Sequence, residues 1–278
     1  MKKLKSGVLA LAIALIFGAC SKEEEPTTPA PASDESPPAE QRPAETPASD
    51  DMPADLRSAL ADELRPAEDR ARDASRKPAE VVEFLGIEPG MKVLDVIAAG
   101  GYYTEVLSIA VSPEGQVVAQ NPDAALEYND GANEKAISAR LAGNRLPNVT
   151  RLNKNFDEMS AADGPFDAAI TALNFHDVYN GYGQEATTAF LQAIYAVLKP
   201  GGVFGITDHV GIAGADNEAL HRIEKAKVIE AVVAAGFEAD GESDVLANAA
   251  DDHTQQVFSD AIRGKTDRFV LRFRKPAQ

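Results

Sequence analysis

Apolar positions along this chain change period several times, and the changes mark out its elements. Over 53–75, Leu56, Leu60 and Leu64 fall on one stripe of a strongly charged helical pattern, which Pro66 interrupts. Residues 78–85 carry Val81, Val82 and Phe84 in a second, short helical pattern. Beyond them, short apolar runs alternate with helical stretches. The runs predict strands at 92–96, 116–120, 149–152, 166–172, 202–207, 237–242 and 268–273, the last with Phe269, Leu271 and Phe273 on one face. Helices are predicted at 102–110, at 184–198 and over 217–235, and 134–141 lies in another. Strands separated by helices imply an α/β domain with one seven-stranded, mostly parallel sheet and helices on both faces. Ligands of such sheets sit outside the carboxyl ends of the strands.

The first residues follow a different rule. Lys2, Lys3 and Lys5 precede an apolar run from Val8 to Phe17, then Gly18, Ala19 and Cys20. A positive start, a short apolar run and small residues are the marks of a secretory signal. The run is too short to cross a bilayer, which takes about 20 residues. Phe17-Gly18-Ala19-Cys20 resembles a bacterial lipobox, with Phe17 where leucine is usual. The resemblance implies a lipidated Cys20 in the periplasm, and Ser21 implies outer-membrane sorting. An ordinary signal peptide with an incidental cysteine is the alternative. Residues 21–53 hold eight prolines and nine acidic residues against Lys22 and Arg42. Such a stretch buries too little apolar surface to order itself, so it reads as an extended acidic tether. The expected organisation is a signal at 1–20, a disordered tether at 21–53 and a domain at 54–278.

Composition narrows the function classes. The net charge is −17, which argues against nucleic acid as a partner and against a polybasic grip on anionic lipid. The chain's one cysteine excludes an internal disulfide or a multi-cysteine metal centre. Any membrane contact is then expected through the lipid anchor alone.

The loops at the predicted ligand edge carry the candidate chemistry. The first reads Val93-Leu94-Asp95-Val96-Ile97-Ala98-Ala99-Gly100-Gly101-Tyr102-Tyr103-Thr104. It resembles the first motif of the class I S-adenosylmethionine-dependent methyltransferases, an acidic residue after a strand and then a glycine-rich turn into a helix. Asp95 stands at the acidic position and Gly101 at the last glycine, beside Gly100; Ile97 and Ala99 take the places of the first two glycines. Leu198-Lys199-Pro200-Gly201-Gly202-Val203-Phe204 and Phe166-Asp167-Ala168-Ala169-Ile170 resemble later marks of the same family, over roughly 78–275. Segments 100–105, 173–177 and 264–271 are similar to an exported methyltransferase family. The resemblance implies a Rossmann-like methyltransferase fold, S-adenosylmethionine as cofactor and methyl transfer to an unknown small-molecule or protein acceptor. It further implies Asp95, Gly100, Gly101, Tyr102, Thr104 and Asn174 around the cofactor. Gln120 and Asn121 stand where an acid usually holds the ribose hydroxyls. Asp157, with Asn155 as the alternative, stands at the adenine position.

Two His–Asp pairs fall on the same edge, His176-Asp177 after the fourth strand and Asp208-His209 after the fifth. Imidazole titrates near neutral pH, so His176 or His209 is a candidate base, oriented by Asp177 or Asp208. These residues could equally cap helices and brace loops. A divalent cation could use them if they converge, but no H-x-x-x-H spacing supports it, so no metal is expected. His221 reads as a helical residue with a structural hydrogen bond, and Asp251-Asp252-His253 as a solvated loop. Two readings follow: a methyltransferase, or a non-catalytic ligand-binding protein on the same fold. Export favours the second, since that cofactor is made in the cytosol.

Overall fold

Buried apolar residues, from valine and leucine to alanine and phenylalanine, dominate the central strands, and that apolar continuity puts the sheet in the middle of the domain. The computed structural model describes residues 54–277. The signal and tether expected at 1–53 lie outside the described residues. Three helices lead in: α1 (Ala54–Leu60), α2 (Ala67–Arg76) and α3 (Pro78–Leu85). Pro66 caps α2 and so divides the first helical pattern, as its ring requires. Then come β1 (Lys92–Val96), α4 (Tyr102–Val111), β2 (Gln116–Asn121), α5 (Asp123–Leu141), β3 (Val149–Asn153) and β4 (Phe166–Ala172). A π-helical turn at Asp177–Gly181 leads into α6 (Gly183–Val197), followed by β5 (Leu198–His209), α7 (Lys225–Ala234), β6 (Glu238–Ser243) and β7 (Arg268–Arg274).

The strands form one seven-stranded sheet in the order β3-β2-β1-β4-β5-β7-β6. All neighbours from β3 to β5 are parallel, and β7 runs antiparallel between β5 and β6. The chain moves outward from β1 in both directions, so the switch point lies between β1 and β4, where such sheets open a crevice. Alternation along each strand feeds two cores. Val93, Val117, Ile170 and Val270 face α1, α3 and α4. Leu94, Ala169, Phe204 and Phe273 face α6 and α7. A fully buried Phe or Leu contributes about 1.5–3 kcal/mol, so these faces hold the sheet edge rigid.

Two helical expectations change. The helix read at 134–141 begins at Asp123 and is interrupted at 128–131. The long helix read over 217–235 is helical only from Lys225; 217–224 is a turn structure in which His221 takes a left-handed φ of 53°. The physical reason is Arg222, fully buried, whose guanidinium reaches Val210, just past β5, and the 251–255 loop, which a straight helix could not present to it.

Candidate functional site at the carboxyl edge of the sheet

The turn from β1 into α4 is bent as a glycine-rich turn is bent, yet it is built largely from other residues. Ile97 has φ 54° and Ala99 has φ 49°, and Gly101 follows at 85°. A left-handed backbone costs a residue with a Cβ roughly 1–2 kcal/mol. The compensation comes from the end of β2. The Ile97 N–H donates to Gln120 Oε1 at 3.1 Å and the Ala99 N–H donates to Asn121 Oδ1 at 2.8 Å. Gln120 Nε2 donates in turn to the Lys154 carbonyl at 2.8 Å. Both side chains are buried, with their amides bonded to backbone. This differs from the expected ribose contact: here the two amides brace the turn.

Several other expected cofactor residues also face the protein. Asp95 is buried and accepts a 2.6 Å bond from Thr104 Oγ1; burial pushes its carboxyl up to about 7. Tyr102 donates to Asp73 Oδ1 at 2.6 Å, and its ring lies under Arg72 and Arg76, so its side chain belongs to the packing of α2. Gly101 is required by α5: a Cβ there would sit 2.5 Å from Ile137 Cδ1. At Gly100 it would sit 3.0 Å from Ala136 Cβ. Asn174 Nδ2 donates to the Ile97 carbonyl at 3.2 Å and ties the end of β4 to the turn. Asp157 is exposed.

What the edge does offer is backbone and one carboxylate. Gly101 opens α4 with no side-chain cap, and the Tyr102 and Tyr103 N–H groups find no acceptor among the described residues. Free amides at a helix N-terminus suit an anion. Asp123, two residues past β2, is exposed, and its Oδ2 accepts from Asn155 Nδ2 at 3.0 Å. Asp123 lies beyond the strand pattern, so periodicity does not mark it. The signal available was its place as the first acid after β2.

The histidines converge at the ends of β4 and β5. Asp208 is fully buried. Its carboxylate accepts from His176 Nδ1 at 2.7 Å, from the His176 backbone N–H at 2.9 Å and from the His209 backbone N–H at 2.7 Å. So Asp208 orients His176, and Nε2 of that ring faces Asp177. Asp177 Oδ1 lies 3.3 Å from Nε2 and 3.1 Å from His221 Nδ1. Burial alone would strip the His176 proton, but Asp208 and Asp177 outweigh it and hold the ring up to about 10. His176 thus keeps the place expected of a base, with Asp208 as its orienting carboxylate. His209 is buried with Nδ1 against Thr266 Oγ1 at 2.8 Å, and burial pushes it down to about 3. Its neighbour Asp208 serves His176, so His209 is a neutral packing partner.

His221 joins this cluster from the 217–224 turn, a member that helical spacing concealed. Arg222 fixes it in place: its guanidinium bonds Asp251 at 2.9 and 3.0 Å and the Val210 carbonyl at 3.0 Å. Asp251 is consequently buried, where a solvated loop was expected.

Comparison with known proteins agrees with this architecture. The family model of protein-L-isoaspartate(D-aspartate) O-methyltransferase matches residues 68–149. An uncharacterized methyltransferase of Synechocystis is 27% identical over 127 residues, which is 46% of this chain and 51% of that protein. The sterol 24-C-methyltransferase of Yarrowia lipolytica is 35% identical over 129 residues, 45% of this chain and 29% of that protein. The chain thus spans about half the length of these relatives, or less. Among solved structures, a SAM-dependent methyltransferase from Aquifex aeolicus superposes with TM-score 0.54 at 19% identity, covering 78% of this chain and 97% of its own. The [4+2]-cyclase SpnF does so with TM-score 0.54 at 20% identity, covering 81% and 94%. Strand order, switch point and these matches agree with the fold and the family marks of the class I S-adenosylmethionine-dependent methyltransferases, to which this chain is similar.

Proposed function

We propose that this protein is an S-adenosylmethionine-dependent methyltransferase whose acceptor, a small molecule or a protein, enters at the ends of β4 and β5. The observation that carries the reading is the uncapped start of α4 at Gly101, set at the sheet's switch point. The residues there fit the cofactor. The Tyr102 and Tyr103 amides would take its carboxylate, and Asp123 with Asn155 would take its ribose hydroxyls. When bound, it supplies an electrophilic methyl group on a sulfonium. Asn174 holds the turn against the end of β4. Asp208 fixes the His176 ring, and Asp177 and His221 border the acceptor end. Alignment of the acceptor is the chief demand of an in-line displacement. We further propose that this activity is exported, with Cys20 as a lipid anchor.

Isothermal titration of the full chain with S-adenosylmethionine and S-adenosylhomocysteine tests the reading. Binding is expected, and Asp123→Ala, an exposed change, should weaken it about tenfold by removing a charge-assisted bond. Silence at millimolar ligand would overturn it in favour of a non-catalytic binding protein. That second reading draws on the two amides of Gln120 and Asn121, which brace the turn where the superfamily usually places a ribose-binding acid.

A further inference from the structure

We infer that His176, Asp177 and His221 form a binding site for one divalent first-row transition cation. The inference rests on side-chain geometry independent of the cofactor. One ligand atom from each of the three lies within 4.8 Å of the others. The two shortest separations, 3.1 Å from His221 Nδ1 to Asp177 Oδ1 and 3.3 Å from His176 Nε2 to the same oxygen, match donors sharing a metal. Metal–ligand bonds of about 2.0–2.1 Å put neighbouring donors roughly 3.0–3.4 Å apart.

A second observation points the same way. The His176 side chain is 4% exposed, and Nε2 is buried with no hydrogen-bonded partner. A buried ring nitrogen without a partner costs stability, so its retention calls for a ligand. The other nitrogen is already committed. Asp208 accepts from two backbone N–H groups as well as from the ring. Nδ1 is therefore the nitrogen that donates to Asp208, and a cation at Nε2 would take the place of a proton there. A carboxylate on the far nitrogen of a ligating imidazole is how metal sites fix tautomer and raise basicity.

The donor set chooses the class of ion. Two imidazoles and one carboxylate suit zinc, iron(II), cobalt or manganese, while magnesium and calcium prefer oxygen alone. Two carboxylates, Asp177 and Asp208, offset the dication. Access exists, because Asp177 is 53% exposed and His221 33%. Three protein donors on one side leave coordination positions open toward solvent, where an acceptor's oxygen could be polarised.

The test is calorimetric titration of chelator-treated full chain with zinc chloride, without S-adenosylmethionine, so that its outcome is separate from that of cofactor binding. One equivalent should bind, and magnesium should bind at least a hundredfold more weakly. Cobalt(II) should give visible absorption bands of a site with mixed nitrogen and oxygen ligands. His221→Ala and Asp177→Asn alter partly exposed side chains, so folding survives, and each should weaken zinc more than tenfold. Asp208→Asn should weaken it about 10–100-fold as an orienting partner. His253→Ala, a ring paired with Asp267 outside the cluster, should change nothing. No zinc binding at millimolar metal, equal affinity for magnesium, or affinity unmoved by His221→Ala would each overturn the inference.

Discussion

Single residues in this protein are defined by what they face, and Asp95 is the clearest case. It stands at the acidic position of the β1 turn, and that much is readable from sequence. Its direction is not: it points inward, bonds Thr104 and is held up at about 7 by burial. An unfolded Asp titrates at about 3.9. Between those values the folded protein keeps a proton that the unfolded chain has released. Stability must then fall as pH rises through that window and level off above it. Asp95→Asn keeps an acceptor for Thr104 and removes the titration. Relative to wild type, the variant should gain stability steadily from pH 5 to pH 8, by on the order of 2–4 kcal/mol at the upper end. Thermal unfolding followed by circular dichroism at each pH measures this, and a difference independent of pH would refute it. Gln120 and Asn121 teach the same lesson. Their type announces hydrogen bonding, but composition cannot say that their partners are Ile97 and Ala99 in a left-handed turn. Nor can spacing reveal that Asp208 serves His176, 32 positions away, ahead of its neighbour His209.

Elements were far more legible than the pairs between them. β1, β4 and α3 fall on the residues that periodicity marks, because buried strands and amphipathic helices write their environment directly into apolar spacing. The segment 217–224 fails this rule for a physical reason. Its apolar positions continue the pattern of α7, while Arg222 draws the backbone into a turn to reach Asp251, Val210 and Gln255. A tertiary ion pair there overrides local propensity. Both partners are nearly inaccessible, at 0% and 2% side-chain exposure. Removing one leaves a buried charge uncompensated, which costs about 3–5 kcal/mol. Arg222→Leu should therefore lower the melting temperature by roughly 6–20 °C for a domain of this size. Adding Asp251→Asn should recover part of the loss, because the cost lies in the orphaned carboxylate. By contrast, Lys225→Ala, which breaks an exposed pair with Glu242, should shift stability by about 1 kcal/mol or less. Equal effects from the buried and exposed changes would contradict this account of the turn.

At the scale of the whole molecule, charge and chain length bear on the proposed membrane anchor. The domain at 54–278 carries a net −13 and the segment at 21–53 a net −7. Neither favours an anionic lipid surface. No helix among the described residues is long and apolar enough to cross a membrane. The anchor proposed above is Cys20, at the end of the lipobox-like Phe17-Gly18-Ala19-Cys20. Under that proposal the thirty-three residues 21–53 would separate anchor from domain by at most about 110–120 Å of fully extended chain. The mode of attachment has a distinctive salt response, since electrostatic adhesion weakens with ionic strength while a buried acyl chain does not. Expressed in a two-membrane bacterium, the full chain should incorporate a palmitate analogue and stay in the membrane pellet through a high-salt wash. Cys20→Ser should lose the label and move to the soluble fraction. Release of the wild type by salt, or retention of label in Cys20→Ser, would show that the anchor lies elsewhere.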